Sequence, residues 1–449
     1  MTRVQPLNAF MASENQETSN PRSILQVLNP VITWMRVCGV CIGPRVTMEN
    51  IRCSDYRFRR LHKDGWFHIL YCALINCYLW TYTGILAYKL TLLVTMSSEW
   101  ITVFQLLVLN LTASGCSAWT SLNYRGGIYQ IWVKEFYLYE QRYGVHENMK
   151  VMVKKSRMLL ALVMSTGICI PGAILTTALL VPEIGETVFV VDRALGWWNY
   201  LITTINYFIF YTALSSCVVS SVIGSYPLCS ELDVINTIIK RCVDESIKRQ
   251  ECQTFRSKSI SDITEELKTT MSRYKRIACL IYGYSDVIVP FQFTVFFMSL
   301  PLSCFSLYVI MTRTELPSNV ALCIYIMLLC SVSCIVLSFA GMKVNVKAHN
   351  ALQYMIKIPT DNLSETTMRA VTHFTSLLTG TTIGYNVHGL FTISPPTVLS
   401  IVGTLVTYIV VVLQFRTSDC RTSSDTLCQD LVTNVTSLLE VMRNATSRC

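Results

Sequence analysis

Charged residues are scarce in this chain: they make up 14% of its 449 residues, whereas a soluble domain carries about 25%. That is too little charge to cover a surface facing water, so the composition excludes soluble, disordered and nucleic-acid-binding proteins. Hydrophobic residues reach 52%. The chain is therefore predicted to be a polytopic membrane protein, in which the net charge of +9 reports topology and not an anionic partner.

The chain also lacks the common catalytic and cofactor signatures. It contains no GxGxxG, Walker, HExxH or GxSxG motif. Asp286, at the predicted cytosolic start of the fifth span, and His388, before the seventh, are isolated; we interpret them as a solvated boundary group and a helix-packing group. Cys38 and Cys41 have the spacing of half a metal or redox site, but no second pair follows. We predict no enzyme activity and no bound metal or cofactor.

Seven stretches are long and apolar enough to cross the hydrocarbon core of a bilayer, which takes about 20 residues. They are 66–90, 100–120, 158–181, 197–224, 284–311, 319–342 and 396–415. An eighth apolar stretch, 24–43, is interrupted by Asn29, Pro30 and Arg36, so we interpret it as an amphipathic helix in the membrane interface. Its apolar residues fall on one helical face: Ile24, Val27, Leu28, Val31 and Met35.

The distribution of Lys and Arg assigns the two sides of the membrane. Of the 37 basic residues, 30 fall in the segments 1–65, 121–157, 225–283 and 343–395, which alternate with the other loops. The positive-inside rule therefore predicts a cytosolic N-terminus and, after seven spans, an extracellular C-terminus. This orientation is the inverse of that in G-protein-coupled receptors. Because the first 20 residues lack an apolar core, we expect the first span to act as its own signal anchor.

The predicted extracellular tail, 416–449, carries two N-glycosylation acceptors. They begin at Asn434 and Asn444, and both are followed by Thr at the required spacing. Three of the 19 cysteines also face the oxidising side, namely Cys420, Cys428 and Cys449. An odd number leaves one thiol over from any internal pair.

Two long cytosolic loops contain helical patterns. In the loop 225–283, Asp262 could cap a helix whose apolar stripe is Ile263, Leu267, Met271, Tyr274 and Ile277. In the loop 343–395, a second helix opens at Ser364 and closes at Gly380, with Met368, Val371 and Leu378 on one face. Such helices either pack beneath a membrane domain or form a cytosolic anchor that joins subunits. The predicted regions are 1–65, 66–342, the anchor region 343–395, the seventh helix 396–415 and the tail.

The seventh span places Thr407, Val411 and Gln414 on one helical stripe, with Tyr408 and Phe415 beside it. An amide facing lipid is costly, so Gln414 is expected to face protein or water. A stripe of this kind suits a pore wall, because a ring of Val can gate by dewetting and an amide can replace part of an ion's hydration shell. Packing between helices explains the same stripe equally well.

Thr407-Tyr408, five apolar residues and Gln414-Phe415 together resemble the TYhhhhhQF signature that closes the last helix of arthropod gustatory receptors. The segment 389–393, GLFTI, is similar to the Gly-Leu-Phe-x-Ile that often leads into that helix, and Leu28-Asn29-Pro30 is similar to their N-terminal segment. The sequence departs from the family in its 34 residues after Phe415 and in Ile409, where the sugar-receptor branch often has Glu.

The resemblance implies a tetrameric, tastant-gated, nonselective cation channel in the plasma membrane of a sensory dendrite, as a homomer or with other gustatory receptor subunits. Four copies of the seventh helix would line the pore, and each subunit would bind a small-molecule tastant in the outer half of spans one to six. Residues at that depth are Trp80, Tyr82, Trp100, Gln105, Trp197, Trp198, Tyr200 and Tyr308. Trp and Tyr also concentrate at bilayer interfaces as anchors, which is the competing interpretation.

Other classes remain open on the sequence. An odorant receptor or a gustatory-related photosensory receptor would share the inverted seven-helix topology, and an atypical metabotropic receptor would couple to a G protein instead. A transporter is expected to show two similar halves with broken helices, and the sequence contains no such repeat.

Overall fold

A computed structural model describes residues 24–39, 64–93, 100–144, 149–180, 197–251, 260–312, 317–358 and 365–420. The first helices are α1 (Ile24–Val37), α2 (Asp64–Leu93), α3 (Trp100–Gly126), α4 (Ile128–Tyr143), α5 (Met149–Leu180) and α6 (Trp197–Glu251). They are followed by α7 (Ile260–Thr294), a π-helical turn (Val295–Ser299), α8 (Leu300–Thr312), α9 (Pro317–Met355) and α10 (Glu365–Gly380). A hairpin of β1 (Asn386–Val387) and β2 (Phe391–Thr392) then leads into α11 (Pro395–Cys420).

Each of the seven predicted spans coincides with a helix: α2, α3, α5, α6, α7 with α8, α9 and α11. Within the described residues, four helical segments meet the length and apolarity needed to cross a membrane: Phe67–Leu92, Tyr200–Lys248, Asp262–Ile310 and Cys323–Met355. The segment Pro395–Val411 is apolar but shorter. The prediction of an all-α membrane protein is confirmed in its helical architecture.

The helices α6 and α7 extend far beyond the predicted spans. α6 has 55 residues and α7 has 35, so most of the predicted loop 225–283 is helix continuous with the spans. The predicted helices were too short because an apolar run shows where a helix crosses the bilayer and not where the helix ends. The predicted stripe of α7 is confirmed, since all five of its apolar residues are buried. Asp262 lies in the first turn of α7 and not at its N-cap, because the helix begins at Ile260.

The helix α1 packs against α4, α5 and α6. The apolar face that we placed in the membrane interface is buried in protein, with Ile24 and Val27 fully covered and Met35 nearly so. The Ser156 hydroxyl donates to the carbonyl of Val27, across from α5. The predicted helical face is thus correct, but protein surfaces bury it.

Among the described residues, two apolar clusters are buried in the bundle. The larger cluster joins α1, α3 to α10 and the hairpin, and includes the edge-on contact of Tyr274 in α7 with Phe374 in α10 at 5.0 Å. The smaller cluster lies in the halves of α2, α3 and α6 that the predicted topology places outside, and comprises Tyr82, Leu86, Val103, Leu106 and Tyr207. The predicted helix of the anchor region is confirmed as α10, in which Val371 and Leu378 are buried; its predicted cap, Ser364, lies outside the described residues.

The hairpin before α11 was not predicted. Asn386 pairs with Thr392 and Val387 with Phe391, and the turn uses positive φ angles at His388 (50°) and Gly389 (74°). Glycine adopts such angles without strain, which explains the Gly of the GLFTI segment. His388 therefore lies in a turn and not in a helix. From this turn its ring contacts that of Phe293 edge-on at 5.1 Å.

Candidate functional site

The smaller apolar cluster contains part of the predicted ligand site. Tyr82 and Tyr207 are buried at 4% and 7% exposure, and Tyr200 packs against the cluster as a partly buried residue. Tyr78, one turn before Tyr82, donates a hydrogen bond to the carbonyl of Ile202 at 2.9 Å. The cluster thus combines aromatic rings with hydroxyl groups among buried aliphatic side chains.

Gln105 occupies the centre of a polar contact between three helices. Its side chain is fully buried. Its amide nitrogen donates to the hydroxyl of Ser306 in α8 at 3.1 Å, and its amide oxygen accepts from the thiol of Cys323 in α9 at 3.3 Å. The partners lie 201 and 218 residues away in sequence, so no local pattern could have identified them. A ligand that reached Gln105 would have to replace one of these two bonds.

The other predicted ligand residues separate into two groups. Trp100 is half-buried, and its ring lies 6.4 Å from that of Phe305 in α8. By contrast, three side chains are about half exposed on the outside of the single chain: Trp80 (47%), Trp198 (53%) and Tyr308 (46%). These three match the interface-anchor interpretation better than contact with a ligand inside the bundle. The side chain of Trp197 lies outside the described part of the structure.

The predicted stripe of the seventh span is exposed along α11. Thr407, Val411 and Gln414 are all exposed, and the same stripe continues toward the hairpin through Ser400 and Thr404. Extending the i, i+3, i+4 count backward by two turns would have found these two residues. Tyr408 is also exposed, at 36%. For Phe415, the fourth residue of the sequence signature, the structure describes the backbone only.

The hydroxyl groups of the stripe bond to their own helix. Thr404 donates to the carbonyl of Ser400 and Thr407 to that of Gly403, both at 2.9 Å. Because each hydroxyl hydrogen is already used, the oxygen faces outward as an acceptor. α11 packs mainly against α8, and from Pro395 to Val411 none of its side chains is fully buried.

A buried ion pair lies in the predicted cytosolic region, and sequence reasoning missed it. The guanidinium of Arg273 (α7) reaches a carboxylate oxygen of Glu231 (α6) at 2.7 Å. It also donates to the hydroxyl of Tyr139 (α4) at 2.9 Å, and that hydroxyl donates to the same carboxylate oxygen at 3.0 Å. This cluster joins three helices with charge-assisted hydrogen bonds.

The next residue in α4, Glu140, anchors α1. One of its carboxylate oxygens accepts the backbone N–H of Ile24 at 2.8 Å, and the other has no hydrogen-bond partner among the described residues. Burial raises the pKa of Glu140 to about 8; the Ile24 N–H opposes the shift and the charge of Glu231 adds to it. The group therefore favours its neutral form near neutral pH.

A groove of about 580 Å³ lies between α4 and α7. It is lined by Ile131, Trp132, Glu135, Arg276, Cys279 and Asp286, among others. The groove is at the predicted cytosolic end of α7, whereas Tyr308, the ligand candidate in α8, lies 22 residues after Asp286 in the sequence. Asp286 is exposed there, as predicted for a solvated boundary group.

Comparison with protein families gives a match over nearly the whole chain. The model of the seven-transmembrane chemosensory receptor family matches residues 28–419, which include all seven spans and the α11 stripe. The chain belongs to this family. No curated protein sequence matches the receptor significantly.

Solved structures agree with this assignment. The receptor is similar to the insect olfactory receptor OR5 from Machilis hrabei, with a TM-score of 0.64, 12% identity, and coverage of 86% of this chain and 97% of OR5. It is also similar to OR5 in complex with eugenol, with a TM-score of 0.60, 13% identity, and coverage of 87% and 98%. At such low identity, the likeness establishes the shared membrane fold alone.

Proposed function

We propose that this chemosensory receptor is a gustatory receptor, and that it works as a tastant-gated, nonselective cation channel in the plasma membrane of sensory dendrites. The observation that carries the proposal is the exposed polar stripe of α11. Ser400, Thr404, Thr407 and Gln414 present oxygen or amide groups along the stripe, and Val411 is its apolar member. A stripe of side-chain oxygens and an amide suits a surface covered by water or another subunit better than one that faces lipid.

A four-fold assembly, as a homomer or with other gustatory receptor subunits, satisfies this need. Four copies of α11 around an axis would turn the stripe into stacked rings. The hydroxyl oxygens of Thr404 and Thr407 would face the axis as acceptors for cations, and the Val411 ring would form an apolar constriction that resists wetting when narrow.

The tastant is proposed to bind in the outer bundle, around the smaller apolar cluster. Tyr82, Tyr200 and Tyr207 provide rings and hydroxyl groups there, and Gln105 links the cluster region to α8 and α9. The eugenol complex of OR5 concerns a small aromatic molecule bound by a receptor of the same fold. Trp100 extends the proposed site through its contact with Phe305.

An odorant receptor of the same superfamily is the second candidate, because the similar solved structures are olfactory receptors. The Thr407-Tyr408 and Gln414-Phe415 pairs favour the gustatory assignment. Responses to a panel of nonvolatile tastants and volatile odorants, recorded from the chain expressed alone in oocytes, distinguish the two.

The test of the pore uses whole-cell recording at matched surface expression. Val411→Ser is expected to leak current without ligand, because a hydroxyl wets the constriction. Val402→Ser is the matched control: Val402 is 42% exposed and lies nine residues away, about 180° around the helix, so this variant is expected to behave as wild type. Gln414→Ala is expected to change relative cation permeability.

Variants of the proposed ligand site are expected to change ligand sensitivity and not ion conduction. Trp100→Ala and Tyr207→Phe should shift the half-activating ligand concentration and leave permeability ratios unchanged. Current that persists when G-protein signalling is blocked supports a channel. If Val411→Ser and Gln414→Ala reach the surface and conduct as wild type does, the stripe is a packing surface and the proposal is wrong.

A further inference from the structure

The fifth transmembrane helix changes pitch part-way along. α7 ends at Thr294, Val295–Ser299 forms one π-helical turn, and α8 continues from Leu300. A π-helical turn contains an additional residue, is rare and recurs at functional sites. If this turn became regular α-helix, α8 would rotate relative to α7, because one residue corresponds to about 100° of helix rotation. α8 carries Ser306, the hydrogen-bond partner of Gln105.

The π-helical turn contacts the hairpin that leads into α11. The ring of Phe296 meets that of Phe391 in β2 edge-on, at 5.9 Å and 76°. One turn earlier, Phe293 meets His388 at 5.1 Å. A third contact comes from α9, where the thiol of Cys334 donates to the carbonyl of Val295 at 3.9 Å. The turn is therefore joined by side chains to both α9 and the hairpin.

The hairpin is held firmly at its base and is continuous with α11. The Ser285 hydroxyl accepts the backbone N–H of Asn386 at 2.9 Å, and the hydroxyls of Tyr385 and Ser225 lie 2.8 Å apart. Thr397, in the first turn of α11, donates to the carbonyl of Thr392 at 2.9 Å. β2 is thus joined to the first turn of α11 by a hydrogen bond as well as by the chain itself.

A buried amide next to the turn is a point at which another arrangement of the helix would gain hydrogen bonds. Gln292 is fully buried, and neither its amide nitrogen nor its amide oxygen has a hydrogen-bond partner in the described structure. Unpaired buried amides are costly, so a second arrangement that pairs Gln292 would compete with this one. Gln292 lies three residues before Val295, where a change of pitch would move it.

We propose that the π-helical turn and the hairpin form the linkage through which the outer half of the fifth helix moves α11. Phe296 and Phe391 are positioning residues in this linkage, because they act through their contact with each other. The proposal rests on the proposed function, because it assigns α11 the role of pore helix.

The first test is a double-mutant cycle on ligand activation. Phe296→Leu and Phe391→Leu each remove one side of the ring contact. Each is expected to shift the half-activating concentration about 2- to 10-fold in the same direction, as expected for one aromatic pair. The double variant is expected to shift it no further than the larger single variant. Phe391→Tyr keeps the ring and should activate as wild type does. The matched control is Phe339→Leu, because Phe339 is 58% exposed on α9.

The second test does not depend on current. Hydrogen exchange of the purified receptor follows the amide of Ile393, which donates to Tyr385 across the hairpin at 2.9 Å. Phe296→Leu should speed its exchange, while the amide of Thr381, bonded to Leu377 of α10, keeps its rate. If wild type carries no current but Ile393 exchange responds, the channel proposal fails and with it the pore role of α11, while the coupling of the π-helical turn to the hairpin stands. Additive activation shifts, or unchanged exchange at Ile393, would overturn the linkage.

Discussion

Replacing Arg273 with methionine tests what holds the predicted cytosolic region together. The Arg273 and Glu231 side chains are only 15% and 7% exposed, so the pair is shielded from water. Arg273→Met leaves the Glu231 carboxylate buried with the hydroxyl of Tyr139 as its remaining partner in the cluster. Removing one member of a buried ion pair costs about 3–5 kcal/mol, because the other charge stays uncompensated.

Removing both charges together is expected to cost less stability than removing Arg273 alone. Glu231→Leu combined with Arg273→Met replaces the pair with apolar side chains, which is often neutral or stabilising. The double variant is therefore expected to unfold at a higher temperature than Arg273→Met alone. This non-additivity separates a buried pair from two independent residues.

The assay is thermal unfolding of purified receptor in detergent. For a cooperative unit of this size, 3–5 kcal/mol corresponds to a fall in Tm on the order of 3–5 °C. The matched control is Lys347→Met, since the Lys347–Asp233 pair also joins two helices, α9 and α6, but Asp233 is 54% exposed. Exposed pairs contribute about 0–1 kcal/mol. If Arg273→Met lowers Tm no more than Lys347→Met, or if the two charge removals add, the reasoning is refuted.

Three further predictions concern topology, the tail and pH. An epitope placed after Cys449 should be stained on unpermeabilised cells, and one at residue 2 should not; the reverse pattern would contradict the charge-based topology. Glycosidase should sharpen the gel band of wild type, and the Asn434→Gln, Asn444→Gln double variant should show no shift. The raised pKa of Glu140 means that the folded state binds its proton more tightly than the unfolded state, so stability falls as pH rises from about 4.5 to about 8. Glu140→Gln, which keeps an acceptor for the Ile24 N–H, should flatten that slope in melting curves between pH 5 and 8; an unchanged slope would exclude Glu140 as its source.

The existence of the membrane helices could be predicted because a bilayer imposes a simple requirement. About 20 apolar residues in succession must be helical to satisfy their own backbone groups, and this holds for every predicted span. The buried faces of helices could be predicted from periodicity: Ile263, Tyr274 and Leu378 are buried as their spacing indicated. Helix ends were not predictable from apolarity, and α6 runs 27 residues past the predicted end of its span, from 224 to Glu251.

The candidate site was predictable only where it depends on one helix. The stripe of α11 follows from spacing, and Ser400 and Thr404 were within reach of the same count. Depth along a span could not tell which way an aromatic side chain points, so Tyr82, which is buried, and Trp80, which is exposed, received the same assignment. Contacts such as Gln105 with Ser306 depend on how distant helices pack, and a single sequence does not contain that information.

The uneven packing of the bundle bears on how the proposed channel would open. The part of the larger apolar cluster around the Arg273–Glu231 pair forms a closely packed base in the predicted cytosolic half. The smaller cluster has five buried residues, and α11 from Pro395 to Val411 has no fully buried side chain. Rearranging weakly packed elements costs less than opening the base, and moving parts are drawn from such regions. A ligand needs about 5.5 kcal/mol of preference to turn a 1:99 equilibrium into 99:1. On the proposed function, the moving parts are the outer cluster and α11, with the hairpin between them, while the helices around the Arg273–Glu231 pair stay packed.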